Sequence, residues 1–170
     1  MCAKIMKEHH AELDEAEVSV LCLFVDAGMD DDDEPKPAIK KDGHECAAQV
    51  KKTTAPDRVA GLPDALIIID FHKWENLAAG QREALIDHEL EHLDLKYGKE
   101  GELKRDCFGR PELEYRKHDW VLAGFSSIVE RHGVSALETT QFRELNHTTG
   151  GQMVFDFIEQ MRVRREETVA

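Results

Sequence analysis

His88-Glu89-Leu90-Glu91-His92 is the segment whose residue types and spacing could do chemistry. Two histidines four residues apart on a helix project to one side and can share a metal ion, and a glutamate beside the first can act as a base on water held there. At ~100° per residue, His88 and His92 point within ~40° of each other, and Glu89 lies ~100° from His88. Ile86, Leu90, Leu93 and Tyr97 form an apolar stripe on another face. One face can therefore bind the core while the other presents ligands. The pattern suits zinc, which needs a third protein ligand. The long metzincin pattern does not supply it, because Leu95 and Gly98 stand where that pattern needs Gly and His. Candidates downstream are Glu112, Glu114, His118, His132 and His147. His118 stands in helical register with Tyr115, Leu122, Phe125 and Val129, which turns it inward and makes it the first choice; Glu114, one turn earlier, is the alternative. His132 beside Gly133 is read as serving a helix terminus, and His147 as part of a polar turn. Tyr115, one turn before His118, is a candidate donor to an oxyanion; its plainer reading is an aromatic core residue.

The elements that must position these residues follow from periodicity and punctuation. Residues 4–17 read as a solvated N-terminal helix, and Val18 to Val25 as a buried strand, central or next to the centre of its sheet. Residues 44–52 suggest a second strand, Pro56 to Leu62 a short helix or turn, and Ala65 to Asp70 another buried strand behind Pro63. Asn76 to Tyr97 is the site helix, with Gly98 as its stop. After a polar connection over 98–110, Pro111 starts a helix spanning Glu112 to His132 that ends at Gly133. Ser135 can cap a shorter helix through Leu145, Met153 to Ile158 is strand or helix, and the tail over 162–170 frays. The run Asp30 to Glu34, followed by Pro35 and Pro37, makes 26–43 a mobile acidic loop whose spacing matches no dedicated calcium loop. With no repeat and no linker, residues 1–170 read as a single domain.

The chain carries 35 acidic and 22 basic residues, a formal charge of −13. That excess disfavours phosphate-rich partners, so direct nucleic-acid binding and attachment to an anionic membrane are not expected. Six carboxylates fall between Asp26 and Glu34 with no basic residue among them. Asp87, Glu91 and Asp94 flank the histidines and suggest a negative rim favouring basic or neutral peptide segments. No apolar run approaches the ~18 residues of a membrane span, and the N-terminus lacks a signal-peptide core, so a cytoplasmic location is expected. Cys2, Cys22, Cys46 and Cys107 form no C-x-x-C pair and read as reduced, structural residues.

Three segments together carry a family resemblance: Ile68 to Trp74, Gln81 to Leu93, and Arg116-Lys117-His118-Asp119-Trp120. They resemble the putative phage metallopeptidase family, near the SprT-like zincins, over about residues 18–132. The resemblance implies an α+β zincin-like fold, with a small mixed sheet packed against an active-site helix and a second ligand-bearing helix. It also implies Zn²⁺ on His88, His92 and His118, with Glu89 as catalytic carboxylate and Asp119 orienting a histidine from outside the ligand set. The chain lacks the four-cysteine ribbon of many SprT-like proteins, and 134–170 match no family element. The expected activity is zinc-dependent peptide hydrolysis on a protein or peptide substrate, in a host cytoplasm if the chain is phage-encoded. The competing expectation is an acidic interaction protein on the same scaffold, inhibiting or regulating a host protein without catalysis. A third, a calcium-dependent regulator, would use Asp30 to Glu34.

Overall fold

The computed structural model describes residues 1–41, 43–118, 124–140 and 143. Asp119, His147, the 153–158 segment and the 162–170 tail lie outside them. The chain forms a mixed α+β structure whose main sheet has three strands in the order β1 (Val20–Val25), β5 (Ala65–Asp70), β4 (Ala48–Lys52). β1 runs parallel to β5 and β4 antiparallel to it. The β-branched run of β5 suits a central strand: Ala65, Ile67 and Ile69 are fully buried, while Leu66 and Ile68 face the other side half-buried. β1 borders the centre as expected, but it is not a buried strand. Leu21, Leu23 and Phe24 are exposed, since β1 is an edge strand that pairs with β5 alone among the described residues.

The N-terminal helix is broken in two, α1 (Cys2–His9) and α2 (Ala11–Glu15), with His10 between them in a non-helical conformation. Ile5 and Leu13 bury against the core formed by β4, β5 and helix α5 (Ala79–Glu91). The acidic run sits at the tip of a small excursion: Asp30 Oδ1 accepts from the Asp32 and Glu34 amides, and Met29 bridges Pro35. Residues 26–43 are thus not all loop, because Lys40–Lys41 (β2) pairs with His44–Glu45 (β3). The expected strand over 44–52 is accordingly two pieces, β3 and β4. The turn at Pro56 is helix α3 (Ala55–Val59), capped by Thr54. Asp70 closes β5 by capping α4 (Phe71–Glu75) and accepts the Ala38 amide as well.

Two long helical expectations fail, for one physical reason. The site helix stops at Glu91, with His92 as its cap, and Gly98 plays no part in ending it. Leu93-Asp94-Leu95 alternates apolar and polar, and becomes β6 (Leu93–Leu95), paired antiparallel with β7 (Leu113–Tyr115). The partner comes from the expected second helix, whose first residues alternate in the same way. Pro111 bridges Arg105 within this ribbon and starts no helix. The helical pattern of the later part survives as α6 (Ser126–His132), which ends at Gly133 with φ 53°. A 3₁₀ turn at Gly133–Ser135 follows, and 137–140 are helical, so Ser135 precedes a helix that the described residues follow only in part. Among the described residues no helix is long and apolar enough to cross a membrane.

Candidate metal centre

The last turn of α5 and the chain after β7 bring three imidazoles together. His88, His92 and His118 each place a ring nitrogen within 4.8 Å of the others'. His88 Nε2 and His118 Nε2 face each other at 3.3 Å. Zinc–nitrogen bonds of about 2.0–2.1 Å at a tetrahedral angle put two ligand nitrogens about 3.3–3.4 Å apart, so the spacing fits one shared ion. His118 arrives by a route that periodicity does not show. It lies on no helix, which corrects the expected second ligand-bearing helix; it follows β7, which runs beside the residues just past α5. There the Arg116 amide donates to the His92 carbonyl (2.9 Å), and His92 Nδ1–H donates to the Arg116 carbonyl (3.0 Å). This reciprocal pair holds residue 116 against residue 92, and His118 follows two residues on. Glu114, opposite Asp94 in the ribbon, is exposed and outside the cluster.

The outer nitrogens are committed in a way that frees the inner ones. His88 Nδ1–H donates to Glu138 Oε1 at 2.6 Å and His92 Nδ1–H to a carbonyl, so both rings present Nε2 lone pairs to the shared space. Phe125, fully buried, lies 4.9–5.2 Å from the three ring centres and backs the cluster with an apolar wall. Burial holds the His92 pKa down to about 4, with His88 and His118 adding to the effect against the Arg116 carbonyl. At His88 burial also disfavours the cation, but the Glu138 bond and the charges of Glu89, Glu138 and Asp87 outweigh it and raise the pKa. The donor set, neutral imidazoles with their outer protons anchored, fits a zinc ion.

Glu89 lies in the same cleft, buried, with Oε2 accepting the Val50 amide at 2.7 Å. Burial pushes its carboxyl above the ordinary range, against the opposing pull of His88 and the Val50 N–H. The cleft, about 820 Å³, is also lined by Tyr115. The Tyr115 hydroxyl accepts the Lys52 amide at 3.0 Å and retains its own proton to donate. Half-exposed, with Lys52 Nζ over its ring, Tyr115 is no core residue.

Glu138 is the site residue that sequence reasoning missed. Fifty positions from His88, it carries no local signal of the pairing. Gly124 supplies a trace of one: a Cβ there would overlap Glu138 Cγ, so the approach requires glycine. Two other expectations are corrected. Asp87 and Glu91 do not rim the cleft. Asp87 is fully buried and accepts from His10, His132 and both Nε and Nη2 of Arg131 at 2.6–3.0 Å, while Glu91 takes Arg116 and Arg131. His132 serves this hub, not a helix terminus. Of the groups that could hold an ion among the described residues, the second is His10, Asp87 and Glu91, where Arg131 already occupies both carboxylates; neither group includes Asp30 to Glu34.

Three convergent imidazoles that share an open cleft with a buried carboxylate form a donor set that could hold a metal ion. The family follows: a family model described as putative phage metallopeptidase matches residues 1–148, and the chain belongs to that family. No curated protein and no solved structure is a significant match to it.

Proposed function

We propose that the protein is a zinc-dependent metallopeptidase, a small zincin-like enzyme related to the SprT-like group and working in the cytoplasm on a protein or peptide substrate. The convergence of His88, His92 and His118 on one point, with Glu89 in the same cleft, carries this reading. A zinc ion held there would supply water acidified to about pKa 7 and a Lewis acid for the scissile carbonyl. The chain's own residues do the rest. Glu89, whose carboxyl is pushed up by burial, takes the proton of the attacking water and passes it to the leaving amine. Tyr115 donates its hydroxyl proton as a hydrogen bond to the developing oxyanion. Glu138 and the Arg116 carbonyl keep the ligand rings in the tautomer that offers Nε2 inward.

Among the described residues β4 pairs with β5 alone. Its Val50 and Lys52 amides point outward to Glu89 and Tyr115, so the proposed catalytic groups are tied directly to that strand. The test is Glu89→Gln. The variant should retain zinc and lose metal-dependent cleavage of an unfolded protein such as casein, and an unchanged rate would remove the base. Full biological activity in the same variant would instead favour a non-catalytic binding role.

A further inference from the structure

The cleft lining is less acidic than the composition suggests, with Lys41, Arg116 and Lys117 facing Glu45, Glu89 and Glu138. Asp87 and Glu91 turn inward and are matched by Arg131 and Arg116. Each acidic residue of the lining is already engaged: Glu45 with Lys73 at 3.1 Å, Glu89 with the Val50 amide, Glu138 with His88. Of the lining cations, Arg116 is held by Glu91 at 2.6 Å. Lys41 and Lys117 are exposed, line the cleft and make no ion pair among the described residues. They come from different segments, Lys41 from β2 and Lys117 from the approach to His118. Lys41 is near enough for its charge to act on both Glu89 and His92.

We propose that this cleft selects acidic peptide segments, with Lys41 and Lys117 receiving carboxylate side chains of the bound chain. As a statement about a substrate it rests on the peptidase reading; as a statement about binding it does not. The net charge of −13 does not oppose it at close range, because charges beyond about 8 Å are largely screened at physiological salt. Two uncommitted lysines match a pair of carboxylates and fall short of the array of cations that a phosphate backbone needs.

Anisotropy of fluorescently labelled peptides on the zinc-loaded Glu89→Gln protein tests this without turnover. An alternating Ala-Glu peptide should bind about tenfold more tightly than an Ala-Lys peptide of equal length, the scale of two partly screened charge pairs. The preference should shrink at high salt and disappear in Lys41→Glu/Lys117→Glu. Should charge reversal disturb folding, Lys41→Gln/Lys117→Gln decides instead. Equal affinities, or an acidic preference that survives in the folded double variant, overturn the proposal. Tighter binding of oligothymidylate than of the acidic peptide also overturns it, in favour of nucleic acid. Acid-selective binding by a protein that cleaves no casein would leave this inference standing and sink the peptidase reading. Cleavage without acid selectivity would do the reverse.

Discussion

Zinc affinity separates the roles of individual residues in the cluster. His118→Ala should weaken binding sharply in competition with a chromophoric chelator, whereas Glu114→Ala, on the exposed side of β7, should leave it unchanged; the opposite pattern would exchange the two. Glu138→Ala should cost about 10–100-fold in affinity, the usual effect of removing the partner that orients a ligand ring. A change of pH supplies a second readout. His88 binds metal only when neutral, and Glu138 helps raise its pKa, so protons compete with metal up to a higher pH than at an ordinary imidazole. Without Glu138 the midpoint of the rise of zinc affinity with pH, taken relative to its own high-pH plateau, should move to lower pH even as that plateau falls. Loss of affinity with an unmoved midpoint would mean that Glu138 only fills space. The H-E-x-x-H residues were legible because both histidines sit within one helical turn; Glu138 was not, because the contact spans fifty positions and exists only when the chain past α6 folds back.

Packing between elements depends on Asp87, which joins α5 to α6 through Arg131 and His132 and to the N-terminal segment through His10. Arg131→Met would leave Asp87 and Glu91 buried with less compensation. Breaking a buried pair costs about 3–5 kcal/mol, and the lower end is expected because Arg131 is partly exposed. Urea unfolding measures it, and a loss within about 0.5 kcal/mol, the range of a neutral surface change, would show the hub to be dispensable. At this scale strands were legible where β-branched residues cluster, as in β5. Helices were over-read where apolar residues fit two periods. Leu93 and Tyr115 each fit a helical stripe, but they also alternate with Leu95 and Leu113, and pairing of β6 with β7 satisfies backbone groups at both segments at once.

For the molecule as a whole, acid stability carries a signature of that hub. Burial alone would raise the Asp87 pKa, but the bonds from His10, Arg131 and His132 outweigh it and hold the carboxyl well below the ordinary range. A depressed folded-state pKa contributes stability that is fully present above the unfolded value of about 3.9 and is lost as pH falls below it toward the folded value. Urea titrations should therefore find the wild type more stable than Asp87→Asn above about pH 4.5, with the difference shrinking as pH falls below about 4. A difference that persists unchanged at lower pH would remove Asp87 from the acid response. The sequence by itself determined the two histidines one helical turn apart with a glutamate beside them, the buried strand over Ala65–Asp70 and the family, because each rests on local spacing or on motif. Only the tertiary structure decided that His118 arrives from a strand, that Glu138 anchors His88, and that the acidic flanks turn inward and leave Lys41 and Lys117 at the cleft. Those outcomes are set by which distant segments pair and which charges find partners, and neither is encoded in the spacing of residues along one helix.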